Sequence, residues 1–377
     1  MRDLSFLLIS ILFVSSSSAQ KKLPIIKAGS RSVNIRENGV LRVNRWTISP
    51  EVSPDIYYSE YAGKKLTFIT DRDSISVVVN KNTNFDFYVL VNDSLKALTR
   101  ISYKPGYLDL LKEAGVYNRE DKRQIPTFSY QSKDDPALVS LRKGFNLDSL
   151  AGGGDEVSRI LRMMHWVHDL IPHDGAHENP AVKNALSLIN QCKNEQRGLN
   201  CRGLAIVLNE CYLSMGIPSR FITCMPKDSV FDDCHVINLV YSKQLKKWLW
   251  IDPTNDAYVM NEKGELLDIR EVRERLINGK PLILNPEANW NHKETQTKQY
   301  YLEHYMAKNL FRLESPVQSQ YDYETWQRGK RVEYVELLPL NTYNQSPQKS
   351  ERTNSTTGTT FVRYKTNNPD LFWQAPE

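Results

Sequence analysis

The sequence predicts an α+β protein in which a helix opened by a cysteine packs on an antiparallel sheet, behind a small all-β module. Three observations carry this. Between Arg31 and Ile101, apolar and polar residues alternate with the period of two that half-buried strands require. From Asp155 to Met215 the apolar residues instead recur at helical spacing. After Pro218, three short segments return to strand character: Arg220 to Cys224, His235 to Tyr241 and Lys247 to Asp252.

The chain starts with Arg2, an apolar run from Leu4 to Val14, and the small residues Ser15 to Ala19. A basic start, an apolar stretch and a small-residue cut site make a secretory leader. Residues 1–19 are therefore expected to be removed before Gln20, leaving a secreted or periplasmic bacterial protein. The run is too short for a membrane span, and no later stretch approaches about 18 consecutive apolar residues. With 40% hydrophobic and 25% charged residues, the 377-residue chain has enough apolar material for sizeable cores. Its net charge of +5 comes from basic residues mixed with acids, not from a stripe, which argues against nucleic acid as a partner. The oligomeric state is left open.

Residues 20–103 read as a β-sandwich-like module. Val33 and Ile35 alternate with polar neighbours, Asn38-Gly39 supplies a tight turn, and Leu41 and Val43 resume the alternation. Further strands follow at Leu66 to Ile69, Ile75 to Val79 and Phe85 to Val91. No catalytic constellation appears there. A second domain is expected over 104–340, with its core at 155–260. Asp155 caps a helix carrying Val157, Ile160, Leu161, Met164 and Val167, and Pro180 opens a shorter one through Ala185 and Ile189. Asn200 is the N-cap of a third helix, from Cys201 to Met215, which Gly216 and Pro218 end. Helices are also expected around Asp268–Asn278 and Thr297–Leu313. Residues 341–377, rich in Ser, Thr, Asn and Gln to Thr360, read as a polar loop and tail.

All five cysteines lie between Cys192 and Cys234, unlike the spread pairs of a disulfide-stapled fold. Cys201 is placed differently from the other four. It stands in the first turn of its helix, where unpaired N–H groups and the helix dipole favour a thiolate. It also shares a stripe with Leu204, Ala205, Leu208, Tyr212 and Met215, so its sulfur points toward the sheet. His235 begins one strand and Asp252 ends the next. If Lys243 and Gln244 form a two-residue turn, these two face each other directly, with Cβ atoms about 4.5–5.5 Å apart. A slip of two residues leaves them diagonal neighbours. Thiolate, imidazole and a carboxylate that fixes the imidazole tautomer are the groups that covalent acyl transfer needs.

Four segments in this order resemble the transglutaminase-like superfamily, a papain-related fold: Asn200-Cys201-Arg202-Gly203, Gly216-Ile217-Pro218-Ser219-Arg220, Cys234-His235-Val236 and Trp250-Ile251-Asp252-Pro253-Thr254. The resemblance spans roughly 155 to 260 and covers neither the β module nor the last hundred residues. It implies a transglutaminase-like/papain-like domain with Cys201 as nucleophile, His235 as general base and acid, and Asp252 as orienter. The backbone N–H of Cys201 is the natural first oxyanion donor. Papain-type enzymes take the second from a nearby Gln and animal transglutaminases from an upstream Trp, which makes Gln196 and Trp166 the candidates. His173-Asp174-Gly175-Ala176-His177 has His-x-x-x-His spacing, but Gly175 and the missing Glu argue against a zinc helix and favour a loop near the cleft. No metal or cofactor is expected. The expected activity is cysteine-dependent hydrolysis of amide bonds in a peptide or protein substrate. Protein crosslinking by the same triad, or an inactive binding or scaffold protein of the same fold, are the alternatives.

Overall fold

A computed structural model describes residues 22–60, 62–228, 233–340 and 342–376; the expected leader, residues 1–19, lies outside the described residues. The chain forms two compact units, Met1–Pro105 and Gly106–Glu377.

The first unit holds β1 (Ile25–Ala28), β2 (Ser32–Glu37), β3 (Val40–Thr47), β4 (Asp55–Ser59), β5 (Lys65–Ile69), β6 (Ser74–Val78), β7 (Asn84–Val91) and β8 (Leu95–Tyr103). They make two four-stranded sheets, ordered β1-β7-β8-β4 and β3-β2-β5-β6. Alternate side chains of both sheets meet in one core that includes Val33, Ile35, Leu66, Phe68, Phe87 and Val89. Asn38 and Gly39 both take positive φ (46° and 84°), the conformation a two-residue hairpin turn between β2 and β3 demands.

The second unit is built on a seven-stranded sheet of β9 (Ser219–Met225), β10 (His235–Ser242), β11 (Lys247–Ile251), β12 (Arg312–Pro316), β13 (Arg331–Leu337), β14 (Lys349–Thr353) and β15 (Thr360–Thr366). The spatial order is β11-β10-β9-β12-β13-β15-β14, antiparallel except for the β13–β15 pair. Because strand side chains alternate, each face has its own core. Val236, Val240, Leu249 and Ile251 pack under the helices Glu156–Leu170, Ala185–Glu195 and Cys201–Ser214. Ile237, Leu239, Trp248 and Trp250 pack on the opposite face, against the helix Ile269–Ile277 and a π-helical segment, Gln299–Met306.

Several sequence expectations need correction. The polar segment 341–377 is not a loop and tail: β14 and β15 complete the sheet. β14 is an edge strand exposed along its whole length, so backbone pairing holds it and its composition stays polar. The helix expected from Pro180 starts at Ala185, where the Asn184 side chain accepts from Ser187 N–H. The helix expected to reach Leu313 stops at Asn309, and Leu313 belongs to β12. Its first two turns are π-helical.

Candidate active site

Local capping places the nucleophile. Asn200 Oδ1 accepts from the backbone N–H of Arg202 (3.1 Å) and Gly203 (3.2 Å), and leaves that of Cys201. The Asn179 side chain grips Asn200 from outside, Oδ1 accepting from Asn200 N–H at 3.0 Å and Nδ2 donating to Asn200 Oδ1 at 2.6 Å. Gly203 permits that approach, since a Cβ there would sit 2.7 Å from Asn179 Oδ1. Cys201 is thus fixed at the start of a helix whose other residues, from Gly203 to Ser214, are all buried.

His235 and Asp252 come together by the diagonal route. Ser242 pairs with Lys247 and Asn238 with Ile251, so the β10–β11 connection is four residues long and ends at Lys246 with φ 54°. Lys-Gln lacks the positive-φ preference of a two-residue turn, and the longer loop shifts the register by two. Direct opposition is therefore replaced by a diagonal pair, still close enough for His235 Nε2 to bond Asp252 Oδ2 at 2.7 Å. By strand alternation the pair shares the face of Ile237 and Trp250.

Asp252 is fully buried and fully served. Its Oδ2 also accepts from Tyr301 Oη (2.6 Å) and Asn255 Nδ2 (3.0 Å), while Oδ1 accepts from Thr254 N–H (2.9 Å). Burial alone would push this carboxyl up, but the charge of His235 and these hydrogen bonds hold it below its ordinary value. Burial likewise disfavours the imidazolium of His235. The Asp252 charge and hydrogen bond, with the thiol of Cys201, outweigh burial and raise His235 to about 10. For Cys201 burial again opposes ionisation. Hydrogen bonding to His173 and His235, and the charge of His235, bring the thiol down to about 6. All five cysteines are free thiols, and burial raises each of the other four.

With Nε2 of His235 taken by Asp252, Nδ1 is the nitrogen left for the thiol. Tyr305 Oη lies 3.3 Å from the same Nδ1, its ring set edge-on to the imidazole at 5.2 Å. Tyr301 and Tyr305 both come from the π-helical segment, a distortion that recurs at functional sites. Neither tyrosine lies in a motif that points to this site, whereas the stretch His173–His177 reads from the sequence as a loop near the cleft, and His173 lines the cavity of Cys201.

The two oxyanion candidates lie elsewhere. Gln196 caps the helix Ala185–Glu195 with φ 51° and lines a separate hollow with Asp174, His177 and Arg197. Trp166 sits inside the helix Glu156–Leu170 and packs on Phe145 at 5.9 Å. His173 and His177 do not converge, for His177 Nδ1 bonds Asp174 Oδ2 at 2.7 Å on the surface. Among the described residues, His168, Asp169 and His292 bring ligand atoms together, but both nitrogens of His168 are already engaged by Pro253 O and Asn289 Oδ1.

Two cavities meet at the site. One, of about 410 Å³, includes Cys201, Asn200, Cys234 and Trp326 in its lining; the other, of about 330 Å³, is walled by Trp290, Tyr300, Thr254 and Gln296. His173 and Tyr305 line both.

Residues 144–253 match the family model of the transglutaminase-like superfamily, so the chain carries a transglutaminase-like domain there. This superfamily includes cysteine-dependent acyltransferases and peptidase-like proteins. No curated protein matches the sequence. Among solved structures, the chain is similar to a provisionally assigned cysteine protease from Cytophaga hutchinsonii (16% identity, TM-score 0.25, 40% of this chain and 51% of that one). It is also similar to red sea bream transglutaminase (12% identity, TM-score 0.24, 67% of this chain and 52% of that one). The matched region spans about half the length of each of these chains.

Proposed function

We propose that the protein is a cysteine amide hydrolase acting on peptide-like substrates outside the cytoplasm. One observation carries the reading: among the five cysteines only the thiol of Cys201 is lowered, in part by the charge of His235, and His235 Nε2 is anchored by a buried carboxylate. In this reading the Cys201 thiolate adds to an amide carbonyl and a C–S bond forms. His235 then gives its proton to the departing amine as the C–N bond breaks. Water follows, losing a proton to His235 as its oxygen bonds the acyl carbon, and the C–S bond breaks to restore the thiolate. Asp252 holds the ring orientation throughout.

A peptide library profiled with intact and Cys201→Ala protein tests this. Cleavage that survives in the variant would defeat it. An amine acceptor in place of water would make the enzyme a crosslinking transglutaminase, and the two cavities that meet at His173 and Tyr305 give that reading a place for an acceptor. A fluorescent primary amine incorporated into protein faster than the amide is hydrolysed decides for crosslinking. Export rests on the leader, and secreted material is expected to begin at or next to Gln20 by N-terminal sequencing. An intact Met1 would refute it.

A further inference from the structure

We propose that His173 is the second oxyanion donor, contacting the substrate carbonyl oxygen through its Nε2–H. The inference rests on the acyl-transfer reading of Cys201. The tautomer comes first. Trp290 Nε1–H donates to His173 Nδ1 at 3.0 Å. An indole nitrogen only donates, so this Nδ1 is an acceptor without a proton, and the ring carries its hydrogen on Nε2. With Nδ1 occupied, Nε2 is the nitrogen left to serve the cavity that His173 lines together with Cys201. It leaves a donor in the space where a carbonyl oxygen arrives once sulfur has bonded to its carbon.

The second requirement is preorganisation, since a donor already in place needs no rearrangement during the reaction. The backbone of His173 is clamped by one side chain: Asn291 Oδ1 accepts from His173 N–H at 2.6 Å, and Asn291 Nδ2 donates to His173 O at 2.9 Å. On its other side the segment pairs with the chain just ahead of the nucleophile, Asp174 N–H to Leu199 O at 2.8 Å and Leu199 N–H to Pro172 O at 3.1 Å. Gly198 makes this approach possible, because a Cβ there would lie 2.4 Å from Pro172 O. One short bridge thus registers His173 against Asn200 and Cys201. The free N–H of Cys201 is the partner donor. As the thiolate attacks, the carbonyl π pair moves onto oxygen. His173 Nε2–H and Cys201 N–H donate hydrogen bonds to that oxyanion, and His173 keeps its proton.

Two reagents on one sulfur test the assignment. Acylation of Cys201 by p-nitrophenyl acetate builds an oxyanion; alkylation by iodoacetamide does not. The ratio of the two rates at one pH cancels the thiolate fraction, so it is blind to any effect of His173 on ionisation. His173→Ala is expected to lower the ratio about 10²-fold or more. His173→Gln, which restores an N–H donor, is expected to recover part of it. Trp290→Phe, which releases the tautomer, is expected to lower it as well. A ratio unchanged in folded His173→Ala and His173→Gln overturns the proposal, whether or not both rates fall together. Wild-type protein that alkylates at Cys201 but is never acylated overturns the acyl-transfer reading itself, a result distinct from any failure of His173 alone.

Discussion

A thiol brought down from 9.0 to about 6 is ionised through the neutral range, so its fingerprint is chemical. The fold lowers the value, so the thiolate persists as pH falls and is lost only on acidification through about 6. Iodoacetamide should therefore modify Cys201 with an inflection near 6 and well ahead of the other four cysteines, all raised by burial. Mass spectrometry of each site across pH measures this, and equal labelling of all five would sink it. His235→Ala should move the inflection back toward an ordinary thiol. Asp252→Asn is a harsher change than its strand-end position implies. Its two oxygens accept from His235, Tyr301, Asn255 and the Thr254 amide, and an amide nitrogen sets donor against donor. We expect kcat/KM to fall roughly 10⁴-fold, as in the serine-protease triad, with a stability loss of about 1–3 kcal/mol. Near-wild-type turnover in the folded variant would remove Asp252 as orienter.

At the scale of elements, legibility followed sequence distance. Cys201, His235 and Asp252 could be read because each sits at an element boundary marked by its own neighbours: Asn200 ahead of the helix, Pro253 behind the strand. The π-helical segment could not, since its Tyr301 and Tyr305 gain meaning only when the face of Trp250 is packed against them. The stretch His173–His177 was legible only as a loop near the cleft, since the precise place of His173 depends on backbone pairing with Leu199 and on the indole of Trp290. The β10–β11 register was off by two residues, yet period-two alternation kept both side chains on one face. The cap of the nucleophile helix offers a direct test. Asn200→Ala removes the acceptor of two amides and of Asn179 Nδ2, and should cost about 1 kcal/mol, lowering Cys201 alkylation as well. Asn200→Asp should retain most of both, measured by thermal denaturation beside labelling. Identical behaviour of the two variants would show that the cap does not position the thiol.

On the scale of the whole molecule, every residue placed at the site, from His173 to Tyr305, belongs to the unit Gly106–Glu377. That unit has its own two cores, one on each face of its sheet, and closes the sheet with its own β14 and β15. The β module likewise has a separate core between its two sheets. A unit of this size buries a large share of its surface without help, so it should fold alone. We therefore expect a fragment of residues 106–377 to unfold cooperatively, to keep the selective alkylation of Cys201, and to keep the acylation-to-alkylation ratio of the full chain. That outcome would assign the reactivity of Cys201 to this unit alone. A fragment that folds but loses Cys201 selectivity would reverse this, because residues that all lie within Gly106–Glu377 would then still need the β module to become reactive.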